Sequence, residues 1–96
     1  MNSLDSVNAI CVRNFPESYT DLSLRDGLFH EYKQHGKVIM IKTVGEGTER
    51  YAVVCFKRPE DVTRALEETT DKQLFGCNIE VTRHEGPPED NDFRPL

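Results

Sequence analysis

Two short segments with in-and-out alternation, residues 10–15 and 49–56, restrict the folds open to this chain more than any other feature. Apolar side chains recur in them at close to every second position, the period of a strand with one face in a core and the other outside it. The inward sets are Ile10, Val12 and Phe15 on the first, and Ala52, Val54 and Phe56 on the second. The outward sets are Cys11 and Arg13, and Tyr51 and Val53. Such strands need a layer over the inner face, and the intervening sequence has to supply it.

It supplies helices. Leu24, Leu28, Phe29 and Tyr32 recur at helical spacing across residues 21–34, and Ser23 with Asp26 resembles a capping box. His35-Gly36 ends that helix, with Gly36 as the expected residue just past its end. Gly27 inside it costs about 1 kcal/mol against alanine, so it is read as a close approach to the sheet. Pro59 opens a second helix, with Glu60 and Asp61 in its first turn and Val62, Ala65 and Leu66 facing inward. Further strands are expected at residues 38–43 and 78–82. Gly45-Glu46-Gly47 turns the second strand into the third, at 50–56, and Leu74-Phe75-Gly76 leads into the last. Pro16 ends the first strand, at 9–15.

Strand, helix, strand, strand, helix, strand predicts an α+β fold, the ferredoxin-like βαββαβ sandwich. Right-handed crossovers place both helices on one face of a four-stranded antiparallel sheet of order 4-1-3-2. The opposite face is expected to be open to solvent, and function belongs there. One domain spans residues 8–84, between a polar, flexible lead-in at 1–7 and an acidic tail at 85–96. The tail sequence Gly86-Pro87-Pro88-Glu89-Asp90-Asn91-Asp92 has a disordered composition.

The net charge of −5 argues against a nucleic-acid binder until its distribution is counted. Residues 8–84 hold 12 acidic and 11 basic residues, so the folded part is near neutral and most of the excess lies in the tail. Cys11, Cys55 and Cys77 have neither CxxC nor zinc-type histidine spacing, and are read as reduced thiols with no metal or cofactor. No apolar run approaches the roughly 18 residues of a membrane span, so no membrane partner is expected. His30, His35 and His84 have no acid or nucleophile partner by spacing, and no Walker loop or GxSxG occurs; the chain is not read as an enzyme.

Residues 8–84 resemble the RNA recognition motif (RRM) family, whose two signature strands match the two alternating segments. Asp26-Gly27-Leu28-Phe29-His30-Glu31-Tyr32-Lys33 closely resembles the first helix of such domains in the split ends (Spen) family. Residues 74–82, Leu74-Phe75-Gly76-Cys77-Asn78-Ile79-Glu80-Val81-Thr82, and the ending Asn91-Asp92-Phe93-Arg94-Pro95-Leu96 look like the second motif of a split ends corepressor. The resemblance implies a large nuclear transcriptional repressor with several such motifs, and partners that include RNA, neighbouring RRM domains and corepressor proteins. The isolated domain is expected to be a monomer.

In that family, aromatics on the outer strand faces stack on bases. Here Cys11 and Val53 stand where aromatics are usual, and Tyr51 alone keeps a ring. Stacking is worth about 1–3 kcal/mol per base, so losing two of three platforms removes about 2–6 kcal/mol. Weak binding to single-stranded or looped RNA is the expectation, made useful within a tandem. The candidate RNA-binding residues are Tyr51 as stacker, Arg13, Lys42 and Arg50 as phosphate contacts, and Cys11, Val53 and Met40 on the same face. Lys37 lies at the margin and Glu80 opposes phosphate. The rival readings are a protein-interaction module, which uses either the helix side, with Phe29, His30, Lys33 and Gln34 of the first helix, or the sheet face, and a structural spacer. The peptide-binding RRM subtype carries an Arg-x-Phe that Lys72-Gln73-Leu74-Phe75 does not supply. Phe93 folding back over Cys11 and Val53 is a further possibility.

Overall fold

In the computed structural model, residues 8–69 and 73–84 are described; the lead-in, the acidic tail and the suggested fold-back of Phe93 lie outside them. Strand β1 (Ala9–Arg13) leads into helix α1 (Asp21–Tyr32) and strand β2 (Val38–Val44). A one-turn 3-10 helix (Gly47–Glu49) precedes β3 (Tyr51–Phe56) and α2 (Pro59–Thr69). The short strands β4 (Gln73–Leu74) and β5 (Cys77–Asn78) pair with each other, and β6 (Glu80–His84) closes the main sheet. That sheet is antiparallel in the order β2-β3-β1-β6, the expected topology with the last strand renumbered.

Alternation builds the core as read. Ile10, Val12, Ala52, Val54 and Phe56 face Leu24, Leu28 and Tyr32 of α1 and Val62 and Ala65 of α2, all at 0–1% exposure. Phe15 joins them although strict alternation from Val12 would point it outward. Asn14 resolves this with φ of 70°, a left-handed conformation that asparagine tolerates, and its Nδ2 donates to the Asn78 carbonyl at 2.6 Å. The strand therefore stops at Arg13, two residues short of the expected end, and Phe15 swings back inward.

Four other local readings are corrected. The N-cap of α1 is Thr20, whose hydroxyl accepts from the Ser23 N–H at 3.1 Å, so the cap lies before Ser23 rather than at it. Gly36 has no left-handed φ: a Cβ there would run into the buried carboxylate of Asp61, whose Oδ2 accepts from the Lys37 N–H at 3.4 Å. Strand β3 starts at Tyr51, because the 3-10 turn ends with the Arg50 N–H donating to the Gly47 carbonyl at 3.3 Å. The last strand splits, since Asn78 pairs with Gln73 in a ribbon turned by Phe75 and Gly76, at φ of 56° and 79°.

Gly27 approaches a ring, not the sheet. A Cβ there would lie 2.5 Å from Phe75 Cε1, and the Phe75 ring also packs edge-on to Tyr19 at 4.8 Å. Gly27→Ala is therefore expected to destabilise despite a helix-propensity gain of about 1 kcal/mol, because displacing the ring costs about 1–3 kcal/mol. A urea midpoint measures the balance, and a more stable alanine variant would refute this packing role.

Candidate nucleic-acid interface

The register of the main sheet sorts its outer face into three rows. His84, Ala9, Cys55 and Met40 form one; Thr82, Cys11, Val53 and Lys42 the next. Glu80, Arg13, Tyr51 and Val44 form the third, Arg13 and Tyr51 being joined by ring contact. Six of the seven sequence candidates, Tyr51, Arg13, Lys42, Cys11, Val53 and Met40, therefore share this face. Ala9, Cys55, Val44, Thr82 and His84 also belong to it. Period-two counting from the same strands could have found the first three, but their unremarkable side chains gave no reason to look.

The centre of this face is not open as expected. Ala9, Cys11, Val53 and Cys55 are 0%, 6%, 2% and 4% exposed; Ala9, Val53 and Cys55 form a second apolar cluster, against which Met40 and Tyr51 pack. Short side chains on the two central strands form a floor beneath longer neighbours. Burial pushes the Cys55 thiol up from 9 to about 11. It pushes Cys11 up too, partly offset by the charge and hydrogen bond of Arg13. Above the floor the Arg13 guanidinium lies 4.6 Å from the centre of the Tyr51 ring. Both groups remain accessible, Arg13 exposed and Tyr51 half-buried.

Arg50, the seventh candidate, is not on this face. Its guanidinium donates to the Tyr19 carbonyl at 2.6 Å and to Asp21 Oδ1 at 2.5 Å, its side chain is 10% exposed, and it lies 5.7 Å from the Phe15 ring centre. Hydrogen bonds from Arg50 and Thr43 hold the Asp21 carboxyl below its ordinary range. Arg50 thus ties the start of β3 to the loop before α1. Arg50 falls in the turn before β3, which starts only at Tyr51, so its charge lies off the sheet surface. Arg50→Ala is expected to lower stability by about 1.5–3 kcal/mol, the range for hydrogen bonds to a charged group. RNA affinity should change little, and equal loss of both in paired urea and RNA titrations would contradict the assignment.

The outer side of α1 is a second surface. Tyr32 is fully buried, as core, but Phe29 is half-buried with Lys33 Nζ 5.7 Å from its ring centre. Leu22, 75% exposed, lines a shallow groove of about 300 Å³ with Arg25, Asp26 and Phe29. Among the described residues no cluster of His, Cys, Asp or Glu is arranged to hold a metal ion, and no helix is long and apolar enough to cross a membrane.

The family model for the RNA recognition motif matches residues 10–80. The chain is 60% identical over 88 residues to Protein split ends of Drosophila melanogaster, and 47% identical over 89 residues to Msx2-interacting protein of Homo sapiens. Each alignment covers 91% of this chain and 2% of the relative, so the chain corresponds to a small part of those proteins. Among solved structures, "Pes4 RRM3 Structure" superposes with a TM-score of 0.70 at 23% identity, covering 86% of this chain and 98% of that one; it speaks for the fold alone.

Proposed function

Because the chain belongs to the RNA recognition motif family, in its split ends (Spen) branch, we propose that its outer sheet face binds single-stranded or looped RNA weakly, as one noncatalytic member of a tandem array. Tyr51 is the stacking platform. Arg13 and Lys42 contact phosphate, and Cys11 and Val53 of the floor, with Met40 packed against it, lie beside the stacked base. Arg50 is left out, its guanidinium being engaged inside the fold. The observation that carries this reading is the Arg13 guanidinium stacked on Tyr51 at the sheet surface, a planar cation and a ring presented together. Linked neighbouring motifs raise effective concentration, which makes a weak module sufficient. The nuclear, repressive setting and corepressor partners are part of the same proposal and rest on likeness to the split ends proteins.

The test is an amide-shift titration with short RNA at two salt concentrations. Salt-sensitive shifts centred on Arg13, Lys42 and Tyr51 are expected. Each phosphate contact contributes a slope of about −0.7 in log K against log salt for a single strand. A specific observation also supports the rival reading: exposed Leu22 beside half-buried Phe29 on α1. Shifts confined to residues 22–34 on adding a protein partner, with none on adding RNA, would favour that rival.

A further inference from the structure

The row that carries Arg13 and Tyr51 ends in a carboxylate. Glu80 stands directly across from Arg13 in the β1–β6 register, and both side chains are exposed. Partners so placed have Cβ atoms about 5 Å apart. The face therefore presents in one line an acceptor-only carboxylate, a donor-only guanidinium and an aromatic ring. Toward phosphate the carboxylate is a liability. Toward the edge of a base it discriminates.

Unpaired bases expose their Watson–Crick edges. Guanine is the one standard base with two adjacent donors there, N1–H and the 2-amino group, with the O6 acceptor next to them. A carboxylate can take both donors while a neighbouring guanidinium donates to O6. Adenine and cytosine each offer a single amino donor beside a ring-nitrogen acceptor, which opposes a carboxylate. Uracil offers one N–H between two carbonyls that do the same. Resting on the RNA-binding reading above, we propose that the Glu80–Arg13–Tyr51 row selects guanine: Glu80 accepts from N1–H and the 2-amino group, Arg13 donates to O6 through one N–H while its other donors keep the phosphate contact, and Tyr51 supports the stacked ring. Glu80 is then a specificity-determining residue, and its unfavourable charge toward the backbone contributes to the weakness of binding to other sequences.

The experiment measures fluorescence anisotropy of the full chain with four labelled oligouridylates. One is unmodified, and the others carry guanosine, adenosine or inosine at the central position. Guanosine is expected to bind about tenfold more tightly than adenosine or uridine, the lower end of what a bidentate base contact confers. Inosine keeps O6 and N1–H but lacks the 2-amino group, and should fall between them. Glu80→Gln should reduce the guanosine preference several-fold while leaving binding to oligouridylate equal or stronger, a split that loss of folding would not produce. Equal affinities for all four oligonucleotides would overturn guanine selection and leave the RNA-binding reading standing, as would a guanosine preference unchanged in Glu80→Gln. Absence of binding to every oligonucleotide would overturn both.

Discussion

Tyr51→Ala is expected to lower RNA affinity about 5- to 150-fold while leaving the fold in place, because removing a stacking ring costs about 1–3 kcal/mol per base. The ring is the one Phe, Tyr or Trp side chain among the described residues of the outer sheet face, and the nearest other ring of that face, His84, stands two rows away. Its structural share is smaller. Tyr51 is half-buried, packs on the Val53 and Cys55 floor and meets Arg13 at 4.6 Å, an exposed cross-strand pairing worth about 0.2–1 kcal/mol. Tyr51→Phe keeps the ring and should keep most of the affinity. Arg13→Ala should behave differently: a phosphate contact is lost, so the salt slope shallows by about 0.7, but a base regains direct access to the ring. Affinity for Arg13→Ala should therefore fall most at low salt. Titrations of Tyr51→Ala that overlay those of the unaltered chain would remove the sheet face as the RNA site.

The fold was legible because its determinants are local and periodic. Ile10, Val12, Ala52 and Val54 alternate, Leu24, Leu28 and Tyr32 follow helical spacing, and the order of elements leaves one common topology. What escaped depends on contacts distant in sequence. Gly27 looks like a helix fault until Phe75, 48 positions later, is seen against it. Arg50 reads as a surface cation until Tyr19 and Asp21 are brought to it across the top of the sheet. The outer face was placed correctly by counting in twos, down to Cys11 opposite Val53. Its dryness was not, because burial of a small side chain is decided by the reach of its neighbours, which alternation does not encode.

That dryness has a measurable consequence at high pH. Burial raises the Cys55 thiol from 9 to about 11 and the Tyr32 phenol from 10 to about 12. Tyr32 is wholly enclosed by the core, its hydroxyl donating to Thr69 Oγ1 at 3.1 Å while Thr69 donates to the Ala65 carbonyl at 2.6 Å. Both groups bind their proton more tightly when folded. Between the ordinary and the raised value the unfolded chain has released a proton that the folded chain retains, so stability falls as pH rises. The expected profile shows no contribution from these groups below about pH 9, then a fall driven first by Cys55 and then by Tyr32. Each raised pKa spans about two units at 1.36 kcal/mol per unit, on the order of 5 kcal/mol together by pH 12. That is comparable to the whole stability of a small domain. Urea midpoints at intervals from pH 8 to 12 measure it. Cys11, whose thiol burial also raises, adds to the earlier part, so Cys55→Ala should reduce that part and Tyr32→Phe should remove the later one, and an undiminished fall in the double variant would refute the attribution. The two single variants also separate the two sides of the sheet. Tyr32 reports on the helix-covered core, whereas Cys55 lies in the floor beneath the proposed RNA seat. If the loss tracks Tyr32 alone, that floor is wet, and a base stacked on Tyr51 would compete with water there rather than settle on a dry apolar surface.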